Sequence, residues 1–207
     1  NGSNYGYSNA AFPTSGFEVL TVTYYDDYSF KTLLNDPNAD FDYKNNEVTA
    51  GDGLKGQDQQ AFDKVKNLVT GSATKVLDSG PWLWSINYYD DHYRLIQNTA
   101  LNYEGGFTRL TNVYDFVGKI LRKKSRYTIP GHALHPDTEI FKRFSYDHAG
   151  RLLKTWHRIG TTDEVLLSAN EYNELGQLLT KRLHQTVALG SPITADPLAD
   201  DPESTYD

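Results

Sequence analysis

The chain contains no cysteine and no methionine among its 207 residues. Without cysteine, disulfides, thiolate metal sites and cysteine nucleophiles are excluded. The lack of cysteine does not distinguish an oxidising from a reducing compartment, because both tolerate it. Since a translated chain begins with methionine, we expect this one to have been trimmed or to be part of something longer. Basic residues are also in deficit. The 20 Lys and Arg against 27 Asp and Glu leave a net charge of −7, which argues against a nonspecific nucleic-acid binder.

Long hydrophobic runs are missing too, and the start of the chain lacks the pattern of an intact signal peptide. The sequence therefore predicts no membrane span. Aromatic residues, in contrast, are abundant, with 15 Tyr, 9 Phe and 3 Trp. Glycine and proline lie mostly between the apolar runs, so the composition favours strands and turns over helices.

A seven-residue pattern repeats along the chain. It consists of Tyr, Asp or Asn, two free positions, Gly, a long polar residue, and then Ile or Leu. Its three complete copies lie at residues 114–120, 146–152 and 172–178. Two degenerate copies precede them, with Tyr93 and Ser29 at the glycine position.

Each copy predicts a β-hairpin. The Asp or Asn side chain can accept hydrogen bonds from backbone N–H groups two or three residues ahead, and the free positions suit a type I turn. Glycine then supplies the left-handed residue of a bulge. Tyrosines 89, 114, 146 and 172 are 25, 32 and 26 residues apart, which suits one hairpin per unit. Because Tyr93 and Ser29 replace glycine, we expect longer or looser turns at those two positions.

The pattern resembles the signature of YD repeats, the building unit of bacterial RHS proteins and of the related teneurins and insecticidal toxin-complex shells. The match is closest at residues 146–152, and the copies span about residues 21–187. The resemblance implies a mainly β fold, in which consecutive antiparallel β-hairpins form part of a β-sheet shell, and a secreted or cell-surface bacterial protein. Too few repeats are present to close a shell, and no self-cleavage segment or cargo domain is evident. We therefore interpret the chain as a slice of the wall.

Three further segments complete the predicted organisation. Residues 1–20 are an irregular lead-in, and residues 188–207 are an acidic loop or tail that contains prolines. Residues 32–80 form an insertion between the first two copies. Within the insertion, the apolar positions from Phe62 to Val69 have helical spacing. A short helix and a strand at residues 67–70 are both compatible with this spacing.

The insertion also carries the one metal candidate of the sequence. Asp36, Asn38, Asp40 and Glu47 fall at positions 1, 3, 5 and 12 of a calcium-loop template. Phe41 stands where the template requires glycine, and flanking helices are not predicted. We therefore interpret these residues as a solvated acidic loop and assign no metal ligand.

Two other motifs that could carry chemistry have simpler structural explanations. The glycine-rich run at residues 51–56 matches the dinucleotide-binding fingerprint, but no buried strand precedes it, so a surface loop is predicted. The acidic doublets Asp26-Asp27 and Asp90-Asp91 recur at the same place in the hairpin pattern. Since adjacent strand residues point to opposite faces, turn capping is favoured over a catalytic carboxylate pair.

Histidine and basic residues give weaker signals. His132 and His135 lie in a predicted loop without an obvious third ligand, so no metal site is assigned to them. The basic run at residues 122–126 predicts a solvated sheet edge that resists aggregation, and anionic glycan binding is the alternative.

The sequence therefore predicts a non-catalytic structural segment without a cofactor. Its expected partners are the remaining repeats of the parent protein or another chain, and the resemblance allows a C-terminal effector domain. The alternative is a glycan- or receptor-binding module at the bacterial cell surface, expected if Trp82, Trp84 and Trp156 line one solvent-facing groove. A hydrolase, the third hypothesis, would require two acids that converge within one pocket.

Overall fold

Ten strands form a single antiparallel sheet in which spatial order follows sequence order. The computed structural model describes residues 5–7, 16–34, 40–51, 53–78, 80–131 and 137–183. The mainly β prediction is confirmed. The strands are β1 (Thr21–Tyr25), β2 (Val69–Lys75), β3 (Trp82–Tyr89), β4 (Leu95–Leu101), β5 (Phe107–Tyr114), β6 (Ile120–Thr128), β7 (Asp137–Tyr146), β8 (Leu152–Ile159), β9 (Val165–Tyr172) and β10 (Leu178–Leu183).

The insertion covers one face of the first six strands. The insertion was predicted at residues 32–80, but its last part contains β2 and belongs to the sheet. Residues 26–68, to which the name insertion applies from here on, connect β1 to β2, and their buried side chains Phe30 and Phe41 join a hydrophobic cluster with Ile86 and Tyr88 on the sheet. The contact is close: a Cβ atom at Gly71 would lie 2.2 Å from the Phe30 ring. The core therefore lies between the insertion and the β1–β6 half of the sheet.

The other half of the sheet is uncovered by the described residues. No residue of β7, β8, β9 or β10 is buried, whereas each of the six preceding strands contains at least one buried position. Burial of apolar surface therefore stabilises the N-terminal half much more than the C-terminal half.

The structure decides between the alternatives for the insertion. Of the two options near residue 67, the strand is the one that forms, because β2 begins at Val69 and residues 61–68 contain no helix. The helical segment of the described chain is instead a 3-10 helix at Ser29–Leu33, directly after β1. The loose corner expected at Ser29 is confirmed, since β1 meets β2 only after the whole insertion. No helix among the described residues has the length and apolar character needed to cross a membrane.

Candidate functional site

Four turns with the same hydrogen bonds are stacked along one end of the sheet. They lie at residues 90–94, 115–119, 147–151 and 173–177 and join β3–β4, β5–β6, β7–β8 and β9–β10. In each turn the fourth residue donates its N–H to the first carbonyl, and the first residue donates its N–H to the fifth carbonyl. The register shifts where each turn meets its hairpin, as a bulge requires. The hairpins predicted at these four copies of the pattern are confirmed, whereas the copy that ends at Ser29 leads into the 3-10 helix and the insertion.

Two details of these turns differ from the sequence prediction. The prediction of a looser turn at Tyr93 was wrong. Tyr93 adopts a φ of 62° and closes a turn of the same type as the one that Gly118 closes with a φ of 94°. The shared contact of the acidic side chain is also one step longer than expected. The Asp or Asn oxygen accepts the N–H of the residue four positions ahead, over 2.7–2.8 Å in all four turns.

A tyrosine connects each of the last three turns to the turn before it. Its hydroxyl donates to the backbone carbonyl just beyond the preceding turn, and its ring lies against the basic side chain of that turn. We call this pair of contacts the tyrosine latch. The hydroxyl bonds are Tyr114 to Leu95, Tyr146 to Ile120 and Tyr172 to Leu152, each 2.9 Å, and the cation-to-ring distances are 4.9 Å for Arg94, 5.5 Å for Lys119 and 4.9 Å for Arg151.

Arginine strengthens two of the latches. The Arg151 Nε atom lies 2.5 Å from Asp147 in its own turn, and its Nη1 atom donates to the carbonyl of Asn173 in the next turn at 3.2 Å. Arg94 does the same between Asp90 and Asp115. Burial raises the pKa of Asp147, but the hydrogen bonds from Arg151 outweigh burial and hold that pKa below its ordinary value. The turns are therefore tied by charge as well as by stacking.

A cluster of buried charges fixes the insertion to the sheet. Glu47, from the insertion, is 8% exposed, and it meets Arg109 of β5 (3% exposed) at 3.1 Å and Lys124 of β6 (8% exposed) at 2.8 Å. Arg109 also donates to the carbonyl of Asp40, and Lys124 also meets Glu139. Burial raises the pKa of Glu47, but Lys124 and Arg109 together hold it below its ordinary value. We call Glu47, Arg109 and Lys124 the buried ion cluster.

The basic run at residues 122–126 does not form a solvated edge, so that prediction was wrong. Strand β6 pairs with β5 on one side and β7 on the other, which places it inside the sheet. Arg122 donates to the carbonyl oxygens of Thr49 and Lys55, and Lys124 binds Glu47. Because alternate residues of a strand face the same side, Arg122 and Lys124 both face the insertion and hold it to the sheet.

The calcium candidates do not assemble into a site in the described residues. Glu47 is occupied by Arg109 and Lys124, and Asp40 forms an ion pair with Lys44 at 2.5 Å. Asp36 and Asn38 lie outside the described residues, as do His132 and His135.

One acid of each doublet, Asp27 and Asp90, caps a turn as predicted, whereas Asp26 binds a distant backbone N–H and Asp91 contacts the His92 ring. Asp26 accepts the N–H of Asn67 at 2.6 Å, and Asp27 accepts the N–H of Ser29 at 2.8 Å. Asp90 is engaged by the N–H groups of residues 92 and 94, as well as by the guanidinium of residue 94. These carboxylates therefore have structural hydrogen-bond partners.

An open groove of about 470 Å³ nevertheless brings acids together beside the first tight turn. Its lining residues include Asp58, Asp63, Asp90 and Asp91, so four carboxylates share one concavity. Asp90 and Asp91 also lie close enough to His92 for the three to share an ion. However, Asp90 is bound by backbone and Arg94, and Asp91 contacts the His92 ring at 2.6 Å. Two of the four acids in the groove, Asp90 and Asp91, therefore already have partners within the turn.

The remaining candidates do not form a binding groove. Residues 51–56 contain a turn closed by a Gly51–Leu54 bridge, and neither a strand nor a helix of the described chain adjoins it. Trp82 and Trp84 pack against the hydrophobic cluster, whereas Trp156, five strands away, lies under Arg143 with the guanidinium 3.6 Å from its ring centre. The three tryptophans therefore do not line one solvent-facing groove.

Neither the known family models nor the curated proteins gave a match to this chain. The stacked turns, the buried ion cluster and the uncovered strands are the features of this chain that bear on its function.

Proposed function

We propose that this chain is a non-catalytic structural segment of a YD-repeat protein of the RHS type. Its hairpins would form part of the wall of a β-sheet shell that encapsulates or presents an effector, toxin or surface domain of a secreted or cell-surface protein. The observation that carries the proposal is the tyrosine latch, which recurs with the same bonds between successive hairpins.

The latch is a contact between neighbours only, which suits a wall built by repetition. Each tyrosine reaches back to the turn two strands earlier, and its own turn supplies the cation for the next tyrosine. Adding one hairpin therefore adds one latch and two sets of strand-to-strand hydrogen bonds, one within the hairpin and one to the preceding strand. The rest of the sheet does not change. Repeat proteins gain stability in this stepwise way.

The last described strand offers a place for the next repeat. β10 is paired only with β9, so its other edge has backbone groups without a ladder partner among the described strands. Its side chains Leu179 and Leu183 are 65% and 66% exposed. Exposed apolar edges of this kind pair readily with another strand, which supports further repeats, or another chain, as the partner.

The experiment measures association through this edge. In sedimentation velocity, we expect the chain to self-associate as its concentration rises, because a second copy can replace the missing repeat. The double variant Leu179→Lys/Leu183→Lys should weaken that association, since charge on an edge opposes strand pairing. Leu175→Lys is the matched control: Leu175 is 85% exposed but lies in the turn and not on the edge strand. A chain that stays monomeric at every concentration, or equal effects of edge and control variants, would contradict the proposal.

A further inference from the structure

One face of β7 and β8 carries cations stacked on aromatic rings. Register places Phe141 and Arg143 of β7 opposite Arg158 and Trp156 of β8. Phe141 also pairs with Lys124 of β6, so these side chains lie on the same face as the insertion. The Arg158 guanidinium lies 4.2 Å from the Phe141 ring centre, and that of Arg143 lies 3.6 Å from the Trp156 ring centre. We call Phe141, Arg143, Lys154, Trp156 and Arg158 the cationic face.

The cationic face continues a surface that already binds an acidic segment. Arg109 of β5 lies over Phe107 at 4.9 Å, and Lys124 of β6 lies over Phe141 of β7 at 5.0 Å. Both cations hold the carboxylate of Glu47. Cations stacked on rings and directed at a carboxylate are thus the means by which this face binds the insertion. The described residues of the insertion form no hydrogen bond or ion pair with β7, so the same chemistry continues there without a cover from that part of the chain.

The charge on this face is only partly neutralised by the described chain. Arg143 meets Glu164 at 2.6 Å. Arg158, in contrast, contacts the Phe141 ring, and no carboxylate of the described ranges lies within ion-pair distance of it. A guanidinium fixed on a ring and lacking a carboxylate is suited to an acidic ligand.

We propose that residues 191–207 of this chain bind the cationic face. This segment contains five acids, Asp196, Asp200, Asp201, Glu203 and Asp207, with no Lys or Arg, so its charge is opposite to that of the face. It also contains Ile193 and Leu198, which could cover the apolar surface between the cations. The proposal concerns a contact within the chain and goes beyond its role as a segment of wall.

The position of β10 allows this contact. Arg182 near the end of β10 pairs with Ala169 of β9, which pairs with Lys154 of β8. The chain thus leaves the sheet two strands from the cationic face, a separation of about 10 Å. Residues 184–190 can span up to about 23 Å when extended. The length of residues 184–190 therefore allows the acidic segment to reach β8 and β7, and attachment to the same chain would raise its effective concentration at the face.

The test uses the complete chain and the fact that it contains no native cysteine. A nitroxide label on Ser204→Cys will broaden nearby NMR signals. We expect loss of the Trp156 indole N–H signal, and its recovery when the label is reduced. Arg158→Glu should restore the signal in the labelled chain by repelling the acidic segment. Lys142→Glu is the matched control, because Lys142 is an exposed cation of the neighbouring strand β7 on the opposite face of the sheet, and it should leave the signal lost.

Two further measurements complete the test. Asp200→Asn/Asp201→Asn changes only the acidic segment and should also restore the Trp156 signal, so the result does not depend on how Arg158→Glu folds. A mixture of two samples separates contacts within a chain from contacts between copies. One sample is isotope-enriched chain that carries no nitroxide, and the other is nitroxide-labelled chain without isotope enrichment, so any broadening in the mixture comes from another copy. The proposal is overturned if Trp156 is never broadened, if the broadening appears equally in the mixture, or if it persists in both charge variants.

Discussion

Glu47 is the carboxylate on which the attachment of the insertion depends. Both of its oxygens lie within ion-pair distance of buried cations from two strands, 3.1 Å from Arg109 and 2.8 Å from Lys124. The exposed ion pairs of the sheet differ, since water already solvates their charges. Loss of the Glu47 charge would leave cations buried with less compensation than they have now.

We therefore expect Glu47→Gln to lower the free energy of unfolding by about 3 kcal/mol. This value is at the lower end of the losses seen when one partner of a buried ion pair is removed, because Lys124 retains its ion pair with Glu139. Urea denaturation followed by circular dichroism measures the change. Glu164→Gln removes an exposed partner of Arg143 and should cost less than about 1 kcal/mol. Equal losses in the two variants would mean that burial gives the Glu47 contacts no special weight.

Acid should remove the same contribution in the wild-type protein. The pKa of Glu47 is held below its ordinary value. Its stabilisation is therefore fully present above the ordinary glutamate pKa of about 4.3, and it is lost as the pH falls through the lower value of the folded state. We expect the stability difference between wild type and Glu47→Gln to be constant between about pH 5 and 7 and to shrink below about pH 4. Denaturation curves of both proteins at matched pH provide the measurement, and a difference that grew in acid would contradict this sign.

Tyr93 closes a turn in a conformation that favours glycine. Its φ of 62° costs an L-residue roughly 1–2 kcal/mol, whereas glycine adopts it freely but loses about 0.4–1 kcal/mol through its more flexible unfolded chain. We expect Tyr93→Gly to raise the free energy of unfolding by up to about 1 kcal/mol. Loss of the ring contact between Tyr93 and Phe62 will offset part of this gain. Gly150→Ala, at φ 80°, is the reciprocal change and should destabilise. Thermal unfolding of both variants tests the pair, and a stabilising Gly150→Ala would count against this explanation.

At the scale of the element, the hairpin is stabilised by a turn and by a latch to its neighbour. The turn is local, because every hydrogen bond within it joins residues no more than four apart. The latch joins residues 19–26 positions apart, so it exists only once two hairpins lie side by side. The latch is therefore the contact that converts separate hairpins into a continuous sheet.

Removal of one hydroxyl tests the latch directly. Tyr146→Phe keeps the ring over which Lys119 lies but deletes the bond to the carbonyl of Ile120, and we expect a loss of about 1 kcal/mol. Tyr127→Phe is the control, because Tyr127 also lies on a strand but its hydroxyl has no hydrogen-bond partner among the described residues. Chemical denaturation compares the two. If both substitutions changed the free energy of unfolding by equal and negligible amounts, the latch hydroxyl would contribute nothing, and the turns would be stabilised by their backbone hydrogen bonds alone.

The contrast between turn and latch explains what the sequence could predict. The turns at residues 115–119, 147–151 and 173–177 were predictable because Tyr, Asp or Asn, and Gly encode them over a few residues. The tight turn at Tyr93 was not, because a tyrosine at the glycine position gives no sign that it will adopt a positive φ. The basic run was misread because the place of β6 inside the sheet depends on β7, which lies beyond a loop. Glu47 showed only an incomplete calcium-loop pattern, since its partner Arg109 lies 62 residues further along the chain. No local signal could have paired these two charges.

At the scale of the whole molecule, the sheet has two unequal halves. β1–β6 are covered on one face by the insertion and contain the hydrophobic cluster, whereas the described residues of β7–β10 include no buried position. The ladder between strands continues across both halves without interruption. Local stability follows buried apolar contact more than hydrogen bonding, so the backbone of the second half should open more often.

Hydrogen–deuterium exchange should therefore show a gradient along the sheet. We expect amides of β9 and β10 to exchange at least ~100-fold faster than those of β3 and β4, because the C-terminal strands can separate without opening the core. In Glu47→Gln the protection of β5 and β6 should fall, since their cations hold the insertion, while exchange in β9 and β10 should stay unchanged. Uniform protection across all ten strands would mean that the sheet opens as one cooperative unit. Stability would then not be built hairpin by hairpin, and the latches would not add stability in steps.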